Sequence, residues 1–181
     1  MNAPVPPAYV TSLQEIFWGG ILVAVTIAMH GIGMLTVVRI NGALKVRFGR
    51  TSSLSMDLGI VILTTWLILL VHLLEVFAWA FFFLWKDAVN TGSSAVANAS
   101  LCYYFALLDY TCLGSNFNLH LRWRLLEGMI SMAGLMTFAW STGVLMTLAQ
   151  DFQDRQMLRL KQRREHDHAK SHAPTSPKHG A

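Results

Sequence analysis

Charge is scarce in this chain of 181 residues. Only 13% of it is Asp, Glu, Lys or Arg, where a soluble domain carries about a quarter. With 54% hydrophobic residues, that shortage excludes an ordinary soluble fold. Cysteine is scarce too, at two residues, Cys102 and Cys112. They stand on either side of an expected helix end, where they make poor disulfide partners, and two thiols alone do not make a metal centre. Cys102 is expected as buried packing. No nucleophile–base set, phosphate loop or specific metal-ligand spacing occurs, so an enzyme is not expected. The amino terminus has no Lys or Arg before Arg39. Without a basic leader, and with the turn-like Pro4, Pro6 and Pro7, no cleavable signal peptide is expected.

What the chain does have is long apolar runs. Residues 17–38 and 129–149 contain no charge, and 58–85 are interrupted only by His72 and Glu75. Each run meets the ~20-residue length of a spanning helix. The net charge of +4 is then a matter of topology, with no nucleic-acid partner implied. The loop 39–57 carries Arg39, Lys45, Arg47 and Arg50 against Asp57, and the tail 151–181 is also rich in Lys and Arg. By the positive-inside rule both face the cytoplasm of a cell inner (plasma) membrane, with the head 1–16 outside. Lys86 and Asp87 nearly cancel, which suits an external loop, while Arg122 and Arg124 count against this placement. The segment from Asp151 to Arg164 is expected to continue the last helix for some turns. Beyond Glu165 the tail, with Pro174 and Pro177, is expected to be largely disordered. Its His166, His168, His172 and His179 read as solvated.

Between the second and third runs, residues 91–124 are too short and polar to cross. A helix is expected over 98–110, capped by the Thr-Gly-Ser-Ser of 91–94. Its length of roughly 20 Å falls short of the ~30 Å hydrocarbon core. The small-residue strip Thr111, Cys112, Leu113, Gly114, Ser115 and Asn116 follows it. Half a helix and irregular backbone between full spans predict a re-entrant pore loop, tolerated at depth only where buried in protein or lining a wet cavity. The helix would aim its carbonyl end at the pore axis. Asp109 either adds to that field or hydrogen-bonds locally behind the loop. The fold class expected is therefore all-α integral membrane, with three transmembrane helices and one re-entrant pore helix.

This module resembles the pore unit of the bacterial potassium-channel family. The family's filter reads Thr-Thr-Val-Gly-Tyr-Gly-Asp, and the matching run here is Thr111 to Phe117. His72-Leu-Leu-Glu75-Val-Phe-Ala-Trp79 resembles the opening of that unit in a small-protein branch. Trp123-Arg124-Leu125-Leu126-Glu127 and Phe138-Ala-Trp140-Ser141-Thr142 resemble its inner helix. The resemblance covers residues 16–150 and places a pore module at 58–150. It implies a homotetramer in lipid that passes a monovalent cation, potassium first, with no other cofactor. The filter departs from the family's pattern. Asn116 stands where the second Gly would be, and Asn is the next best residue for positive φ. Cys112 replaces a Thr whose hydroxyl is an ion ligand, and Ser115 replaces the bracing Tyr. Selectivity would be loosened, and the alternative is a non-conducting scaffold or subunit with a decayed filter.

Ionisable groups inside spans are costly and face protein or water. His72, Glu75 and Trp79 share one helix face. The first two are expected either as a hydrogen-bonded pair locking this helix to a neighbour or as a proton- or metal-sensitive site. His30, between small residues that include Gly31 and Gly33, is a further candidate partner, because small residues allow close helix approach. A metal-handling role for His30, His72 and Glu75, with Cys112 as a further candidate, is the remaining alternative. Gly134 and Gly143 would either let the last span bend or serve its packing.

Overall fold

The computed structural model describes residues 13–48, 54–90 and 98–171. The order is α1 (Leu13–Phe48), α2 (Leu54–Trp85), β1 (Val89–Asn90), α3 (Ala99–Tyr110), β2 (Asn118–Leu119), a 3-10 turn (Leu121–Trp123) and α4 (Leu125–Ser171). Three helical stretches are long and apolar enough to cross a membrane: Leu13–Arg47, Ser55–Trp85 and Leu121–Glu165. The chain is an all-α protein of the membrane-embedded kind.

Two expected loops are shorter than their sequences suggested. Most of 39–57 is helix, because α1 continues through Arg39 and Lys45 and α2 begins at Leu54. Likewise α4 runs past Glu165 to Ser171, where disorder was expected. Residues 152–171 are rich in Leu, Gln, Arg, Glu, Lys and Ala, good helix formers, and contain no proline. The head 1–12, the proposed cap at 91–94 and the tail 172–181 lie outside the described residues. The chain divides into a unit over Met1–Thr142 and a second over Gly143–Ala181. The second consists, as described, of the remaining length of α4 alone.

In the first unit the usual order of polarity is inverted. Leu35, Trp66, Leu70, Phe77, Leu135 and Met136 are exposed, while Thr26, His30, Thr64, Glu75, Thr137 and Ser141 are buried. Against lipid, apolar surface costs nothing, and polar side chains gain by bonding between helices. An apolar core lies at one end, around Trp79, Phe83, Phe105, Leu126 and Ile130. There α3 lies along α2, with Phe105 edge-on to Phe83 at 5.5 Å between ring centroids. Phe82 and Trp123 of this core join Trp18 and Trp85 in an aromatic group, with the Lys86 ammonium 3.7 Å from the Trp85 ring centre. Such rings suit a membrane–water interface.

A small sheet was not expected. β1 and β2 pair antiparallel, Val89 opposite Leu119 and Asn90 opposite Asn118. The His120 N–H adds a bond to the Ala88 carbonyl at 2.8 Å. Two-residue strands carry no alternation to read, and this pair exists because its partners are brought together by the helices. Its effect is to fasten the two ends of the 91–117 segment to each other, beside the end of α2.

Candidate functional site

Two neighbouring features make up the candidate site: the strip after α3 and a polar cluster at the level of its last residue. α3 begins with Asn98, whose side-chain oxygen accepts from the Leu101 N–H at 2.8 Å. This supplies the N-cap that was expected of 91–94. At the other end the Cys112 N–H bonds the Asp109 carbonyl at 3.0 Å, and the Leu113 N–H bonds the Leu108 carbonyl at 2.9 Å. That pattern is a Schellman cap, with Cys112 in the left-handed position usually taken by glycine. Cys112 has φ of 59°.

At this cap the end of α3, expected to aim its carbonyls at a pore axis, has carbonyls bonded within the turn. The carbonyls of Leu107, Leu108 and Asp109 already accept bonds from the turn, and Ser131 Oγ donates to that of Asp109 at 2.8 Å. Gly114 does take positive φ, at 72°, but Asn116 does not; the second left-handed residue is Cys112. Termination of α3 requires the reversal at Cys112, four residues before Asn116, the second left-handed position of the filter pattern. The strip stands open in the single chain: Cys112, Leu113, Gly114 and Asn116 are exposed, with Thr111 and Ser115 half-buried. Ser115 Oγ donates to the Phe117 carbonyl at 2.7 Å, and Thr111 Oγ1 to the Leu107 carbonyl at 2.9 Å. Leu119, where the strip rejoins the sheet, has its N–H bound by Glu127 Oε1 at 2.7 Å.

Cys102 and Cys112 are both free thiols, the first buried and the second exposed. Burial, with the Asp87 charge second, pushes the Cys102 thiol up. Asp109 lies in the interior rather than on the strip, and its Oδ2 has no hydrogen-bond partner among the described residues. Burial first, and the Glu127 carboxylate second, raise its carboxyl to about 7.

Beneath the strip, the structure brings His30, His72 and Glu75 together and adds three residues that sequence reasoning did not place with them. His30 Nδ1 lies 2.9 Å from Glu75 Oε1. The Tyr110 hydroxyl donates to Glu75 Oε2 and lies 3.0 Å from His72 Nδ1 and 2.6 Å from Thr137 Oγ1. His72 Nε2 is 2.9 Å from Ser141 Oγ, which is 3.3 Å from His30 Nε2. His72 and Glu75 also approach directly, at 3.5 Å. Each of α1, α2, α3 and α4 contributes to this closed ring, and all its members are buried. Trp79, one turn along, donates from Nε1 to Thr26 Oγ1 of α1 at 2.8 Å. A signal for the added residues was present: Thr137 and Ser141 are polar residues four apart in an apolar span, hence on one face.

Potential ligand atoms of His30, His72 and Glu75 do lie within 4.8 Å of one another. Two ligands sharing an ion at 2.0–2.1 Å in tetrahedral geometry stand roughly 3.3 Å apart. The 2.9 Å between His30 Nδ1 and Glu75 Oε1 is instead a hydrogen-bond distance, and both nitrogens of each ring are engaged within the cluster. The geometry is that of a hydrogen-bonded ring. Comparison with protein-family models, with curated proteins and with solved structures finds no match for this chain.

Proposed function

We propose that four copies of this chain assemble around the strip 111–116 to form a passive cation pore in a cell inner membrane. The observation that carries the reading is the exposure of the irregular strip that follows α3, between two helices long enough to cross a membrane. The stretch of α2 between the bonded His72 and the helix end at Trp85 is roughly 20 Å long. α3, with 12 residues, covers roughly 18 Å of that depth. Residues 111–117 reach about 23 Å when extended, enough to return to the sheet. Thus the helix goes in about halfway and the strip comes back out, as a re-entrant loop does. Hydrocarbon does not tolerate irregular polar backbone such as that of the exposed Gly114, so protein or water must cover it. A ring of copies around a wet axis provides both.

Potassium is the leading ion by resemblance alone, with loose selectivity expected from Cys112 and Ser115. The basic residues at the end of α1 and in the second unit support a cytoplasmic carboxyl terminus, with the aromatic group at the outer interface. One observation favours a non-conducting membrane subunit instead: the Schellman cap withdraws α3's last carbonyls from a permeating ion. Ion flux through the purified protein in liposomes separates the two readings. Potassium, sodium and proton-only gradients are compared, with Gly114→Asp as the variant and oligomer mass measured alongside. Cation flux lost in the variant supports the pore. An intact tetramer silent under every gradient leaves the non-conducting reading, and a monomer overturns the assembly.

A further inference from the structure

The polar ring contains more hydrogen-bond contacts than its neutral and ionised groups supply protons for. The contacts run from Glu75 to Tyr110, to His72, to Ser141, to His30 and back to Glu75. Each needs one proton. Neutral tyrosine, serine and two neutral imidazoles provide one apiece, and an ionised carboxylate provides none. Reversing the direction of donation around the ring moves the missing proton without supplying it. Thr137 brings one hydroxyl proton but more than one contact, because its Oγ1 also lies 3.0 Å from the Ala133 and Gly134 carbonyls, so it does not make up the shortfall.

We propose that the ring is a binding site for a single exchangeable proton, shared between His30 and Glu75, that joins all four helices. The proton comes from water and completes the contact between Nδ1 and Oε1, either as a carboxylic acid facing a neutral imidazole or as an imidazolium facing a carboxylate. In both forms the ring is electrically neutral. Without the proton two lone pairs face each other at 2.9 Å, and an uncompensated negative charge remains among buried groups, which is costly. Among the described residues, the titratable groups facing the site are His30 from α1, His72 and Glu75 from α2, and Tyr110 from α3. α4 contributes only the hydroxyls of Thr137 and Ser141. The nearby Asp109 is influenced instead by Glu127. The rings of Trp140 and Phe138 pack on His30 and His72, with centroids 5.4 Å and 4.4 Å apart, and shield the site from water. The proton site does not depend on the strip conducting.

The test uses the full chain in lipid bilayers near neutral pH, read by infrared spectroscopy of carboxyl groups and by nitrogen NMR of labelled histidine. Glu75→Gln is the informative variant, because its amide N–H supplies the missing proton permanently and keeps the ring closed. The wild type is expected to show one of two signatures: a protonated-carboxyl stretch absent in the variant, or a His30 imidazolium that becomes neutral in it. His30→Gln, read in the same way, serves if the first variant does not fold. An ionised Glu75 with His30 and His72 both neutral overturns the proposal. So does a transition metal retained at one ion per chain by the wild type and lost on substitution.

Discussion

The carbonyl oxygen of Tyr110 occupies the space a side chain on Gly134 would need. A β-carbon there would overlap that oxygen and lie 3.0 Å from the Tyr110 carbonyl carbon. Gly134 is therefore a packing residue, and the end of α3 rests directly on the backbone of α4. Gly134→Ala is expected to destabilise the protein by about 1–3 kcal/mol, since backbone has to move to admit the methyl group. Gly128→Ala, with open space around it, should not lower the unfolding midpoint, since alanine is the better helix former. Chemical unfolding in detergent reads both, and an unchanged midpoint for Gly134→Ala would contradict the packing.

Cys112 occupies a left-handed position without the glycine that normally fills it. For a residue with a β-carbon that conformation costs about 1–2 kcal/mol. Cys112→Gly should accordingly raise stability by about 1 kcal/mol, less the entropy that glycine loses on folding. The same position makes a chemical prediction. Cys112 is exposed and Cys102 fully buried, so a soluble thiol reagent should modify the first and spare the second in the folded protein. If the strip lines an axis, modification at Cys112 should also block flux, and Cys112→Ser should be insensitive. Equal labelling of both thiols would place the end of α3 wrongly.

The Trp79–Thr26 bond ties α2 to α1 between two fully buried side chains. Thr26→Val keeps the shape but removes the acceptor, leaving a buried indole N–H unpaired. The expected cost is about 1–3 kcal/mol. Trp79→Phe introduced together with Thr26→Val should cost less than the two single changes added, because the second removes the orphan the first creates. Additive costs in this double-mutant cycle would show that the bond contributes nothing.

How far the sequence could be read depended on the length scale of each signal. The three spans were legible because an apolar run of about twenty residues suits little besides a membrane, and 98–110 was legible by its shortness. Asn98 as a cap was not, since Thr91 to Ser94 offered the same chemistry slightly earlier. His30, His72 and Glu75 stood out because ionisable groups are rare in apolar runs. That they close into one ring with Tyr110, Thr137 and Ser141 depends on how four helices pack, which no local pattern records. Of the two left-handed positions that the pattern predicts, Gly114 is one, whereas the helix end puts the other at Cys112 instead of Asn116. The β1–β2 pair is wholly a product of tertiary structure.

Asp109 provides a pH dependence whose sign can be worked out. Its carboxyl is raised from 3.8 to about 7, by burial first and by Glu127 second. The folded chain therefore keeps this proton across the interval from about 4 to about 7, while the unfolded chain gives it up. Wherever the native state holds the extra proton, stability falls as pH rises. The contribution is fully present below the lower limit and is lost as pH climbs through the upper one. Above that, an ionised Asp109 sits buried beside Glu127, with Oδ2 unpartnered. Asp109→Asn removes the titration and should flatten this part of the profile, with the variant more stable than wild type relative to their acid values as neutrality is passed. Thermal unfolding midpoints at closely spaced pH values, for both proteins in one detergent, measure it. Parallel profiles would mean that Asp109 is ionised in the folded chain throughout, and that water or a neighbouring copy reaches a carboxylate the protomer encloses.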